Sequence, residues 1–181
     1  MLAILTLFLA AVDARATDLP GGGQQQEYFV RQEEGEGLLV RIDGIEAAYE
    51  AAIFDPDGEL IVASGTLGNR IAPLFQYVPS SGQARQIDLR ITAPLDTNRT
   101  AFNMGLSRIT VRDDRSASLS RAYQWLSFGL ELPPADTAAN WSIKVNTLGD
   151  AARQFQAFGM EELQLWSLVH AGQILLRGLG A

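Results

Sequence analysis

The feature that most constrains this chain is a change of hydrophobic period at Arg112-Asp113-Asp114-Arg115. Before it, Leu38, Val40 and Ile42 alternate with Leu39, Arg41 and Asp43, and Ile87, Leu89 and Ile91 alternate with Asp88, Arg90 and Thr92. Period two marks a strand with one face buried. After it, Leu119, Ala122, Tyr123, Leu126 and Leu130 recur every three or four residues, which is the period of one helix face. The expected fold class is therefore α+β with the two kinds of element segregated. An antiparallel β-sandwich of about seven to eight strands occupies 27–112, and a three-helix, α-solenoid segment occupies 116–181.

Turn chemistry places the strands. Asp55-Pro56-Asp57-Gly58 is the clearest turn: Asp55 can accept from the backbone two residues on, Pro56 sets φ, and Gly58 supplies positive φ. It joins two strands, with Tyr49, Ala51 and Ile53 on one face and Leu60 and Val62 opposite them. In 27–32, Tyr28 and Val30 share a face and Phe29 takes the other. Pro73 makes 71–78 an edge strand or one that starts late. Phe102, Met104 and Leu106 alternate, but Ile109 and Val111 carry the opposite parity, so a bulge or strand end is expected near Ser107-Arg108.

In the helical part, Ser116 or Ser118 can cap the first helix, and Pro133-Pro134 ends it. Trp141, Val145, Leu148, Ala152 and Phe155 form a second stripe, and Gly159 suits a C-terminal cap. Glu161 and Glu162 open a third helix, well placed against its N-terminal dipole. That helix is apolar almost all round, with Leu163, Trp166, Leu168, Val169, Ile174 and Leu175, so it wants cover on more than one side. The ending Gly178-Leu179-Gly180-Ala181 has no polar cap, and the chain reads as the front of a longer protein.

The N-terminus bears on compartment. Residues 2–12 are apolar apart from Thr6, too short a run to span a bilayer as a helix. Ala14-Arg15-Ala16 follows as an A-x-A cleavage pattern, although no basic residue precedes the run. Residues 1–16 are thus expected to be a signal peptide, which in a bacterium means a periplasmic or secreted protein, with no membrane integration once the signal is removed. Residues 17–26, with three glycines and three glutamines in a row, are expected to be a flexible linker.

Composition excludes several chemistries. A net charge of -7 without a basic cluster disfavours nucleic-acid binding. The absence of cysteine excludes disulfides, thiolate metal sites and cysteine nucleophiles. The one histidine, His170, has no carboxylate at helical spacing and reads as structural or as a surface residue. No phosphate-binding, dinucleotide or nucleophile-elbow motif occurs. Asp43, Asp55 and Asp88 show no spacing that pairs them as an acid and a base. Asp55 and Asp57, with Glu59 nearby, could hold calcium, since hard cations take several oxygens, but turn chemistry also accounts for them. Trp125, Trp141 and Trp166 stand at helical spacing as core residues rather than as a ligand face.

Two stretches resemble known families. The strand Glu27-Tyr28-Phe29-Val30, the Gly37-Leu38-Leu39-Val40 strand, the Ala51-to-Gly58 hairpin and the pair Ile87-to-Ile91 and Phe102-to-Leu106 are similar to the bacterial pre-peptidase C-terminal (PPC) domain. Ala84-Arg85-Gln86 stands where that family often has Gly-x-Tyr. The helices from 117 to 178, with Gly159-Met160-Glu161-Glu162-Leu163-Gln164-Leu165-Trp166, resemble the TPR-like helices that precede a CHAT protease domain in exported bacterial proteins. The resemblance implies a non-catalytic exported binding or scaffold module for protein or glycan, with a protein partner or downstream domain packing on the helices. The alternative it implies is a substrate-positioning or regulatory N-terminal part of a larger CHAT-type peptidase. PPC-like domains of some secreted proteases bind calcium, which is the resemblance's bearing on Asp55 and Asp57.

Overall fold

The computed structural model of the chain describes residues 12–20, 25–44, 50–65, 73–92, 99–131 and 138–179. Eight strands precede three helices: β1 (Val12–Pro20), β2 (Gln25–Gln32), β3 (Glu36–Gly44), β4 (Glu50–Phe54), β5 (Leu60–Gly65), β6 (Leu74–Val78), β7 (Arg85–Thr92), β8 (Arg99–Thr110), α1 (Asp114–Leu130), α2 (Ala138–Ala157) and α3 (Glu161–Leu179). The strands form two antiparallel four-stranded sheets, ordered β1-β8-β3-β6 and β2-β7-β4-β5. The fold is α+β, with the strands first and the helices after them.

The alternating residues account for the sandwich. Leu38, Val40 and Ile42 of one sheet and Ile53, Ile87, Leu89 and Ile91 of the other are buried in one core. Tyr28 meets Phe102 edge-on across the gap at 6.5 Å between ring centres, and the Gln76 amide donates to the Ala51 carbonyl from sheet to sheet at 2.5 Å. The expected hairpin is present. Asp55 Oδ1 accepts from the backbone of Asp57 at 3.0 Å and of Glu59 at 2.8 Å, and Gly58 sits at φ 85°.

Three expectations change. Leu60 does not face inward with Val62, because Ile61 is an extra residue on β5 opposite the step from Ile53 to Phe54 and shifts the register; Leu60 pairs with Phe54 and is 56% exposed. Tyr49, expected on the same face, lies outside the described residues. No bulge interrupts β8 near Ser107-Arg108: its pairing with β3 runs unbroken from Glu36↔Thr110 to Gly44↔Phe102. Ile109 changes parity because it packs toward the core from the other face, where the helices lie. Residues 17–20 and 25–26, expected as linker, lie in β1 and β2, since 15–20 find ladder partners on β8 and Gln25 and Gln26 pair with β7. A cut after Ala16 would fall inside β1. The apolar run is outside the described residues except for Val12.

The helices are not a separate layer of their own. β6 is buried along its whole length, on both faces. Leu74, Gln76 and Val78 share the sandwich side, as the Gln76 amide bond shows, while Phe75 and Tyr77 point the other way, where Tyr77 meets α1. There the Tyr77 hydroxyl bonds Ser120, and its ring stacks on Tyr123 at 5.8 Å. The Tyr77 backbone N–H, at the free edge of its sheet, donates to Ser127 Oγ at 3.1 Å. The end of α1 reaches the other sheet's edge, where Glu131 bridges Ser64 of β5. An open strand edge invites pairing with another chain; α1 occupies that position on β6. Leu126 and Leu130 of α1, Leu148, Ala151 and Phe155 of α2 and Ile174 of α3 then continue the same buried cluster.

Local signals hold each helix. Asp113, rather than Ser116 or Ser118, caps α1, in a capping box in which Ser116 is the third helical residue, and the bonds from Ser116 pull the Asp113 carboxyl below the usual range. Gly129 lets α1 approach α2, since a Cβ there would run into Leu148. Gly159 turns the chain at φ 70°, with Met160 N donating to the Phe155 carbonyl at 2.9 Å. Positions 133–134 are outside the described residues. No described helix is long and apolar enough to cross a membrane.

Candidate interaction surfaces

Three surfaces carry chemistry beyond the core. The first is the outward face of α3. Its inward face is fixed by Ser167, His170, Ala171 and Ile174, all buried. Its N-terminus is tied to β3 by Arg41, whose guanidinium reaches Glu162 at 2.6 Å, pairs with Asp43 at 3.0 Å and lies 5.7 Å over the Phe75 ring. The bond from Arg41 holds the Glu162 carboxyl below the usual range. With the helix so fixed, Leu165, Leu168, Leu175 and Leu176 face solvent at 58%, 50%, 50% and 73% exposure. Single exposed leucines are ordinary, whereas these four share one face of the helix. Trp166, by contrast, is half-buried against the core. The sequence showed a helix apolar almost all round; the structure separates the residues that serve the core from those that do not.

The second surface is the solvent face of the β2-β7-β4-β5 sheet. Register brings Phe29, Asp88, Phe54 and Leu60 into one cross-strand row. Phe29 is 66% exposed, as its parity predicts. Arg90 lies 4.1 Å over the Phe54 ring and pairs with Asp88 at 2.7 Å. Asp88 is thus held by a structural pair, and Asp43 by Arg41; among the described residues neither carboxylate is paired with another as an acid–base couple would be.

The third surface is a concavity of about 430 Å³ at one end of the sandwich, lined by Asp55, Pro56 and Asp57 and by Ser81 to Arg85. Arg85 on its wall is held by Gln32, which sequence reasoning passed over. Buried at the end of β2, Gln32 donates to the carbonyls of Glu36 at 2.7 Å and Pro79 at 2.8 Å and accepts from Arg85 Nε at 2.8 Å. A glutamine on the inward parity of a strand was the available signal: buried polar groups need partners. The two aspartates proposed for calcium both line this concavity. Asp55 Oδ1 already accepts two backbone N–H groups, and among the described residues no three His, Asp or Glu side chains gather as a metal site. The donors present are those of a turn.

His170 is buried, with Nδ1 3.3 Å from Gln173 Oε1 and Nε2 without a hydrogen bond of good geometry. Burial lowers its pKa, against the pull of Gln173 and the Pro73 carbonyl. It packs near Trp166 at 6.2 Å and belongs to the join between α3 and the sandwich.

The chain matches no protein-family model and no curated protein. Solved structures similar to it include PliG of Aeromonas hydrophila, a periplasmic inhibitor of g-type lysozyme (14% identity, 52% of this chain and 87% of that one, TM-score 0.37). Others are the CBM36-1 domain of a multidomain xylanase from the hindgut metagenome of Trinervitermes trinervoides (12%, 59% and 94%, TM-score 0.33) and the C-terminal CBM6 of LamC, a marine laminarinase from Zobellia galactanivorans (14%, 55% and 91%, TM-score 0.32). TM-scores this low carry no functional inference.

Proposed function

We propose that this chain is a non-catalytic, exported protein-interaction module whose binding element is the outward face of α3. The observation that carries the reading is the set Leu165, Leu168, Leu175 and Leu176, half or more exposed on a helix that is otherwise anchored to the sandwich. Water-facing apolar surface on this scale is stabilised by covering it, at about 25 cal/mol per Å². The β-sandwich serves as the rigid support: α1 locks onto β6, α2 onto α1, and Arg41 with Glu162 orients the start of α3. Export is supported by the apolar run at 2–12 and by Ala14-Arg15-Ala16.

The test is photo-crosslinking in producing cells. A photoreactive residue at Leu165 is expected to yield a discrete protein adduct that the same residue at Arg153, an exposed position on α2, does not. Absence of an adduct at Leu165, or equal adducts at both positions, overturns the reading.

A further inference from the structure

β2 stands first in its sheet. It pairs with β7 on one side, and among the described residues no strand pairs with its other side. The far ends of the two sheets differ in this: α1 lies on β6, and Glu131 bridges to β5. Tyr28 and Val30, on the inward parity of β2, pack against the core yet are only partly buried, as residues are where a core stops at an open edge. On the outward parity Glu27, Phe29 and Arg31 are exposed. An unpaired edge presents a row of backbone donors and acceptors that another strand can meet.

The sequence of β2 says which strand. Gln26 to Gln32 reads Gln-Glu-Tyr-Phe-Val-Arg-Gln, and about Phe29 it is its own complement. When two copies of one edge pair antiparallel about a two-fold axis normal to the sheet, opposed residues share a face, so the axis passes between the same residue of each copy. With the axis at Phe29, Glu27 of each copy opposes Arg31 of the other. Tyr28 opposes Val30 on the core side, and the two Phe29 rings meet on the solvent side. Opposite charges, and an aromatic against a β-branched residue, are favourable cross-strand pairs. Of the axes from Glu27 to Arg31, only this one sets opposite charges against each other. An axis at Glu27 or Arg31 opposes that charge to itself, one at Tyr28 sets Glu27 against Phe29, and one at Val30 sets Glu27 against Glu33. An axis nearer either end leaves most of β2 unpaired.

Both charges have neighbours in their own chain. Arg31 Nε lies 2.8 Å from Glu33, and Glu27 lies 3.5 Å from Arg90, which is closer to Asp88 at 2.7 Å. The Arg31–Glu33 pair is largely exposed, at 71% and 48%. Exposed pairs of this kind hold little free energy, and the Arg31 guanidinium keeps further donors for a second carboxylate. We infer that β2 pairs with β2 of a second copy of this chain, antiparallel and centred on Phe29, joining two four-stranded sheets edge to edge. The contact is isologous, as a closed dimer requires. It stands whether or not α3 binds a partner. One strand pair is a small interface, so dissociation on the order of tens of micromolar is expected.

Charge reversal on the full chain tests the pairing. In sedimentation equilibrium the wild-type protein is expected to dimerise over that range. Glu27→Arg and Arg31→Glu, each alone, oppose like charges twice in the homodimer and should weaken it about tenfold or more, with far-ultraviolet circular dichroism unchanged. An equimolar mixture of the two restores both ion pairs in the heterodimer and should dimerise nearly as well as wild type. Wild-type protein that stays monomeric up to several hundred micromolar overturns the pairing, and so does a mixture that dimerises no better than either variant alone. Because the chain has no cysteine, register can be read by disulfide formation. Phe29→Cys meets its own copy across the axis at a Cα separation of about 4.5–5.5 Å, within disulfide reach, whereas Gln25→Cys lies about 27 Å from its copy along the strand. A dimer disulfide is expected from Phe29→Cys under mild oxidation and not from Gln25→Cys; equal yields overturn the register. A photoreactive residue at Phe29 in producing cells gives the remaining reading. An adduct with the mass of two chains supports self-pairing, and an adduct with a different protein alone assigns the edge to a foreign strand and overturns it.

Discussion

Phe155→Ala offers the sharpest check on how the two halves of the chain hold together. Phe155 is fully buried on α2, and its ring lies 5.3 Å from that of Tyr123 on α1, which stacks in turn on Tyr77 of β6. Three aromatic rings thus carry the core from helix to helix to sheet. Truncating a buried phenylalanine removes its transfer free energy and leaves a cavity, about 3–5 kcal/mol. For a chain of 181 residues, that loss corresponds to a fall in Tm of roughly 8–13 °C. The assay reads two regions at once. Trp125, Trp141 and Trp166 all lie in the helices, so tryptophan fluorescence follows the helical layer, while hydrogen exchange over β7 follows the sandwich. If the core is continuous, both signals shift together and by the same amount. A fall in the fluorescence midpoint while β7 keeps its wild-type protection would refute the shared core and make the helices an independent domain.

Three further predictions follow from local geometry. Gly58→Ala should cost about 1–2 kcal/mol, because φ 85° forces an L-residue into the left-handed region although space is open there; unchanged urea-denaturation stability would misplace the turn. Gly37→Ala should cost about 1–3 kcal/mol, since a Cβ would run into the Tyr77 ring, which is held by Ser120 and Tyr123; a wild-type midpoint would show that the ring yields freely. His170 is depressed below its ordinary value of 6.5 by burial, so the folded state prefers it neutral. Its contribution is complete above about pH 6.5 and is lost as pH falls below that value, with a slope of at most about 1.4 kcal/mol per pH unit. His170→Gln should flatten the Tm-against-pH curve between pH 6.5 and 5; an unchanged curve would place the pH dependence elsewhere.

What was legible in the sequence is what local physics dictates. Leu38 to Ile42, Ile87 to Ile91, the Asp55-to-Gly58 turn and the stripe from Leu119 to Leu130 each declare their period or turn within a few residues, and each stands where expected. Long-range pairing was not legible. Nothing near Tyr77 says that its backbone N–H will meet Ser127, 50 residues on, or that Arg41 will reach Glu162 across 121. Leu60 turned outward because a one-residue irregularity is silent in a pattern of alternating residues. Ile109 was misjudged for a related reason: a parity change reads as a bulge unless the second face of the strand is also covered. The outward leucines of α3 could not be told from core residues until Ser167, His170 and Ile174 had been assigned to the buried side.

On the proposed function, the outward face of α3 is covered by protein when the chain is at work. Single-cysteine alkylation measures that cover directly, comparing Leu168→Cys with Arg153→Cys, both exposed in the isolated chain. In dilute purified protein the two should react with a maleimide at similar rates. In producing cells, Leu168→Cys should be protected about tenfold or more relative to Arg153→Cys, the factor expected from about 1.4 kcal/mol of cover. Equal rates in both settings would mean that nothing docks on α3 and would contradict the account.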